Sequence, residues 1–263
     1  MLDYNQTRKF LKSYLPSYFI TGIRSLLPLY MKLQHKLSRI QVNEKSKIYD
    51  MLIESWEDYR YDLYPKDRRM SILRERDVAG MSTENIQFFL NEIVGKFAKN
   101  GTYLEIGTFQ GGSLLSAALF NSSTRCIGVD NFSEFNSDKK NEPILKENLK
   151  KFDNPKNIEF FNMDYKEALN VLFSKEPDLK IDVYYYDGPH TYEHQIGGLE
   201  AILPYLSEKC VILVDDINWI SVDRANEDFV RRHHGFKYAF KIRTKMDRAE
   251  DWWNGFSVIT KGL

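Results

Sequence analysis

The chain has 263 residues, 43% apolar and 28% charged, the proportions of a folded globular protein rather than a disordered or membrane-embedded one. That length accommodates one large α/β domain plus an extension. Thirty-seven basic residues balance thirty-seven acidic ones, so no global electrostatic case exists for a nucleic-acid partner and none is expected.

Charge is nevertheless unevenly spread. Residues 1–43 hold seven basic residues, Arg8, Lys9, Lys12, Arg24, Lys32, Lys36 and Arg39, and one acid, interleaved with apolar positions. Such an arm could lie on an anionic membrane surface. A docking arm or homo-oligomer contact is the simpler expectation, since terminal helices commonly pack on their own protein. Ile48, Met51, Leu52, Trp56 and Tyr59 then recur at helical spacing and predict an amphipathic helix over 45–60. Residues 61–81, with Pro65, Arg68, Arg69, Arg74 and Arg76, read as a solvated or substrate-facing connector. The division expected is an N-terminal helical extension, 1–80, followed by the main domain, 81–263.

Ser82 or Thr83 can cap the next helix, whose apolar face is Ile86, Phe89, Leu90, Ile93, Val94 and Phe97, and Asn100-Gly101 ends it. A strand follows at 102–106, then a turn rich in glycine, Gly107-Thr108-Phe109-Gln110-Gly111-Gly112-Ser113, and a helix over 114–120. Glycine lets backbone approach a ligand without a Cβ, and the free N–H groups of a helix start favour polar or anionic groups. Dinucleotide enzymes place G-x-G-x-x-G here; Phe109 occupies the second glycine position, which argues against an NAD-dependent oxidoreductase.

Strands and helices then alternate: strands at 125–129, 158–162, 181–186 and 210–214, helices at 143–152, 166–173, 192–203 and 223–233. A hairpin-like pair, 237–242 and 256–260, closes the chain. The expected fold is a mostly parallel sheet covered on both faces by helices. Ligands of such sheets sit outside the carboxyl ends of the strands, where strand order reverses. Glu105 and Gly107, Asp130, Met163 and Asp164, Asp187, and Asp215 and Asp216 all fall at strand ends. Asp130, 25 residues beyond Glu105, can accept hydrogen bonds from ribose hydroxyls. Asp164 can accept from an adenine amino group with Met163 packing on the ring, or simply cap a helix. Cys126 and Cys210 lie within apolar strands and read as small buried residues, consistent with a reducing cytoplasm.

Glu105-Ile106-Gly107 through Ser113, then Ile127-Gly128-Val129-Asp130, Asp187-Gly188-Pro189-His190-Thr191-Tyr192-Glu193 and Val214-Asp215-Asp216 together resemble the class I S-adenosylmethionine-dependent methyltransferases. Within that class they are similar to the macrocin and mycinamicin type of sugar O-methyltransferase, with a D-G-x-H-x-Y-E signature. The resemblance covers about residues 80–260 and implies a Rossmann-like, seven-stranded, mostly parallel sheet. It implies S-adenosylmethionine bound by Glu105, Gly107, Thr108, Gly111, Ser113, Asp130, Asn131, Met163, Asp164 and Asp187. Mg2+ is implied at Asp187, Asp215 and Asp216, and the acceptor is a small molecule, a sugar or other polyol, methylated on a hydroxyl. Many relatives carry Asp where Pro189 stands, so a catalytic carboxylate does not transfer there; His190 is the expected general base. A non-catalytic adaptor that keeps the fold is the remaining alternative.

His190-Thr191-Tyr192-Glu193-His194 also satisfies the H-x-x-E-H zinc pattern, but His190 follows Gly188-Pro189 and is expected to precede the helix rather than share a face with His194. Tyr184-Tyr185-Tyr186 reads as strand burial rather than a base-stacking platform. Trp219, Trp252 and Trp253 fall in loops where family acceptors bind, although packing within a lid explains them equally well.

Overall fold

The computed structural model describes residues 40–78 and 80–263; the basic arm predicted for membrane or partner contact lies almost wholly outside them. Eight strands form one sheet: β1 (Ile40–Val42), β2 (Thr102–Ile106), β3 (Arg125–Asp130), β4 (Ile158–Asn162), β5 (Ile181–Tyr186), β6 (Leu206–Asp215), β7 (Phe236–Ile242) and β8 (Phe256–Lys261). The helices are α1 (Lys47–Ser55), α2 (Ser71–Glu75), α3 (Glu84–Phe97), α4 (Gly112–Ala118), α5 (Asn141–Lys150), α6 (Tyr165–Lys175), α7 (Tyr192–Ile202) and α8 (Ile220–Arg232).

Strand order is β1-β7-β8-β6-β5-β2-β3-β4. The five strands from β6 to β4 run parallel, and β8, β7 and β1 add antiparallel neighbours. From β2 the chain moves outward through β3 to β4, then returns to place β5 on the other side of β2. That reversal opens the crevice between the carboxyl ends of β2 and β5. Gly107 sits at this seam with φ +91°, and a Cβ there would lie 1.9 Å from the Asp187 carbonyl oxygen. Only glycine allows the loops after β2 and β5 to touch.

Side chains alternate across the sheet with the period of a strand. Tyr184 and Tyr186 join Leu104, Ile106, Leu199, Ile212 and Phe229 on one face, while Tyr185 joins Tyr103, Phe89, Trp56, Phe240 and Trp252 on the other. All three tyrosines are core, as expected from burial. Their hydroxyls stay satisfied inside the protein: Tyr184 Oη donates to the Gly198 carbonyl at 3.1 Å and Tyr186 Oη to the His194 carbonyl at 3.0 Å. Both cysteines are buried and free, and burial pushes their thiols up.

Three expectations change. The sheet has eight strands rather than seven, because residues 40–42 pair antiparallel with β7. The first helix stops at Ser55; Trp56 then turns into the core, where its Nε1 donates to Asn85 Oδ1 at 2.9 Å. The connector 61–81 is partly built in: α2 buries Leu73, Met70 is fully covered, and the Arg68 side chain pairs with Glu84 and the Arg69 side chain with Glu92. Among the described residues no helix is long and apolar enough to cross a membrane.

Candidate active site

The crevice at the strand reversal is a cavity of about 390 Å3, within the range of small-molecule sites. Of the predicted residues, Gly107, Asp130, Asn131, Met163, Asp164, Asp187, His190, Asp215 and Asp216 line it. The loop 133–135, Met81, Asp247, Arg248 and Asn254 also line it, and none of these was singled out from sequence. His194 reaches the wall as well, its Nδ1 2.8 Å from Thr191 Oγ1.

Glu105, Thr108, Gly111 and Ser113 were expected against the cofactor but do not line the cavity. Glu105 is 0% exposed, and its carboxyl accepts from Tyr103 Oη at 2.5 Å and Ser113 Oγ at 3.1 Å. Burial pushes that carboxyl up to about 8, against the opposing pull of the hydroxyls of Tyr103, Ser113 and Thr108. Gly111 caps α4 at φ +86° with Leu145 packed over it. These four residues shape the turn from behind.

Asp130 ends β3 and closes the loop. Its Oδ2 accepts from Phe109 N at 2.7 Å and its Oδ1 from Phe132 N at 2.6 Å. Burial raises its pKa, and those backbone donors oppose the shift. Each carboxylate oxygen keeps a further lone pair for a ligand. Asp164 caps α6, accepting from Lys166 N at 2.9 Å through Oδ1, so the helix-cap reading holds while the residue also lines the cavity.

Across the crevice, the loop after β5 and the end of β6 bring Asp187, His190 and Asp216 together, each offering one ligand atom within 4.8 Å of the others. His190 Nε2 lies 2.7 Å from Asp216 Oδ2 and 3.5 Å from Asp187 Oδ1, so a protonated imidazole is ion-paired on both sides. Burial alone would lower the imidazole; the two carboxylates outweigh it and raise His190 to about 10. Partial burial, opposed by His190, pushes Asp187 up to about 6. The ring rests edge-on against Trp219 with centroids 4.5 Å apart.

Asp215 departs from its expected place. Its Oδ2 accepts from Tyr185 Oη at 2.9 Å and its Oδ1 from Asp216 N at 2.8 Å, so it braces the strand end while His190 takes the third corner. Burial, with Asp216 and Asp187 nearby, holds its carboxyl well above the usual range. Asp216 adopts φ +58°, and this left-handed turn aims its carboxylate into the crevice. The zinc-protease pattern does not form: Thr191 is the N-cap of α7, leaving His190 before the helix. Trp219 and Trp253 line the cavity, whereas Trp252 is core.

Residues 104–217 match the family model of a methyltransferase domain. That match spans less than half of the chain. An uncharacterized protein of Acanthamoeba polyphaga mimivirus is 30% identical over 132 residues, 48% of this chain and 57% of that protein, so the chain spans little over half of that relative. Among solved structures, a proposed O-methyltransferase from Klebsiella pneumoniae superposes with TM-score 0.55 at 16% identity, over 76% of this chain and 92% of that one. The O-methyltransferase from Bacillus cereus in complex with S-adenosylhomocysteine gives 0.53 at 17%, over 75% and 92%. That of tomaymycin synthesis from Streptomyces achromogenes, in complex with S-adenosylmethionine, gives 0.51 at 14%, over 81% and 94%. At these identities the likeness establishes the methyltransferase fold.

Proposed function

We propose that this protein transfers a methyl group from S-adenosylmethionine to a hydroxyl of a sugar or other small polyol, with a divalent cation assisting. The observation that carries this reading is the Asp187, His190 and Asp216 cluster on the wall of the cavity opposite Asp130. When bound, S-adenosylmethionine supplies an electrophilic methyl on its sulfonium. Asp130 would accept from the ribose hydroxyls, and the Asp164 oxygen left free by its capping bond from the adenine amino group. Met163 and Phe135 offer apolar surface for the ring.

The residues fit a hard cation through oxygen: the Asp187 and Asp216 carboxylates converge within 4.8 Å of each other at the cavity wall. Asp187 and Asp216 would hold Mg2+, which supplies Lewis acidity that makes a bound hydroxyl more acidic. The Asp187 and Asp216 carboxylates favour the protonated form of His190. His190 takes the acceptor proton only where those charges are offset. The tight triangle favours a second reading, in which His190 is itself a ligand.

Conversion of S-adenosylmethionine to S-adenosylhomocysteine over a panel of glycosides and polyols, with Mg2+ and with excess chelator, tests the proposal. Calorimetry with S-adenosylhomocysteine against NAD tests the cofactor. Turnover of no polyol, or preference for NAD, sinks the reading, and full activity in chelator removes the metal. In His190→Ala, loss of kcat with Mg2+ affinity intact supports the base; loss of Mg2+ affinity supports the ligand.

A further inference from the structure

The cavity wall carries seven carboxylates and one cationic side chain besides histidine, Arg248. Arg248 belongs to the connection between β7 and β8, beyond β6 and away from the β2, β3 and β4 ends that face the cofactor side. Every other described arginine has a partner: Arg60, Arg68, Arg69, Arg74, Arg125, Arg231, Arg232 and Arg243 reach carboxylates, Arg76 a carbonyl oxygen and Arg224 a tyrosine ring. Among the described residues the Arg248 guanidinium has none.

Its backbone, in contrast, is pinned. Arg248 sits at φ +57°, its N–H donates to Asn254 Oδ1 at 2.6 Å, and Ala249 and Trp253 exchange backbone hydrogen bonds at 3.0 and 3.1 Å. Asn254 Nδ2 in turn donates to Asp216 Oδ1 at 2.6 Å. One amide thus fixes the root of the guanidinium relative to the carboxylate at the reaction centre. A rigidly rooted arginine with a free planar fork is suited to bidentate recognition of a phosphate or carboxylate. On the β7–β8 side of the cavity Arg248 is the one lysine or arginine in the lining, so an anionic group placed there would find its counter-charge at this residue.

Resting on the methyltransferase reading above, we propose that the acceptor is an anionic sugar, bearing a phosphate or carboxylate that Arg248 binds while the hydroxyl faces Asp216. The full-length protein, saturated with S-adenosylhomocysteine and Mg2+, is titrated with glucose 1-phosphate, methyl glucuronide and methyl glucoside. At least one anionic probe should bind about tenfold tighter than methyl glucoside, and which one does identifies the phosphate or the carboxylate as the source. Arg248→Ala should abolish that preference and Arg248→Lys retain part of it, with S-adenosylhomocysteine affinity unchanged in both. Equal binding of all three probes, or a preference that survives in Arg248→Ala, overturns the proposal. A drop in S-adenosylhomocysteine affinity in Arg248→Ala also overturns it, by assigning the guanidinium to the cofactor carboxylate. If S-adenosylhomocysteine fails to bind the unaltered protein, the underlying reading falls and takes this one with it.

Discussion

Asn254 Nδ2 donates to Asp216 Oδ1 at 2.6 Å from a loop that lies 38 positions away in the chain. The amide is buried, at 7% exposure, and its own oxygen is occupied by Arg248 N–H. Asn254→Ala leaves both partners without that amide, a loss of about 1–3 kcal/mol for a buried group. The expected outcome is a fall in kcat of about tenfold or more and weaker Mg2+ binding, with cofactor affinity held. Asn254→Asp, which places a second anion against Asp216, should be worse than alanine. Unchanged kcat in the alanine variant would show that Asp216 holds its orientation unaided.

Asp215 and Asp216 are adjacent in sequence but differ in what they touch, so their variants should separate. Asp216→Asn removes a charge from the triangle and is expected to weaken Mg2+ or Mn2+ binding by about tenfold to a hundredfold. Asp215→Asn keeps an acceptor for Tyr185 Oη and should leave ion affinity within a few fold. Paramagnetic titration with Mn2+ reads both. Equal losses would restore Asp215 to the ligand set.

Asp130 binds two loop N–H groups and lines the cavity. Asp130→Ala should weaken S-adenosylhomocysteine binding by about 1.5–3 kcal/mol, the range for a hydrogen bond to a charged group. Calorimetry gives the number. Unaltered affinity would remove the ribose role and leave Asp130 as a loop tie.

Glu105 makes stability depend on pH. Its carboxyl is raised from an ordinary 4.5 to about 8, so between those values the folded chain keeps a proton that the unfolded chain releases. The stability tied to this group is fully present below 4.5 and is lost as pH rises toward 8. Glu105→Gln removes the ionisation, so urea unfolding from pH 5 to pH 8 should show a shallower decline in the variant than in the parent. Identical slopes would mean that Glu105 ionises normally in the fold.

The alternating pattern disclosed β2, β4 and β5 to the residue because each is a short apolar run bounded by turn residues. Gly107, Met163, Asp164 and Asp187 at those strand ends line the cavity, because a parallel strand delivers its last residues to one edge of the sheet. What sequence concealed depends on distant pairing or on local twist. β1 is three residues long and is a strand only because β7 lies beside it. α2 has five residues and no side-chain cap, too little for a period. Which of two neighbouring aspartates faces the ligand is set by the positive φ of Asp216, and Glu105 is hidden by Tyr103, two residues before it on the same face. Asn254 gave one signal, an Asn-Gly pair inside a closing hairpin, but its partner at the far end of β6 cannot be read from spacing.

β1 covers the flank of β7, and Trp56 wedges against Phe88, Phe89 and Trp252 beneath it. A chain begun at residue 81 would keep every residue of the crevice and still be damaged. It would bare the backbone donors and acceptors of β7 as a sticky margin for other chains to extend, and leave a hole the size of an indole under the loop that carries Asn254 and Arg248. Residues 40–56 thus act as a selvage that covers part of the β7 edge and backs the loop carrying Asn254 and Arg248.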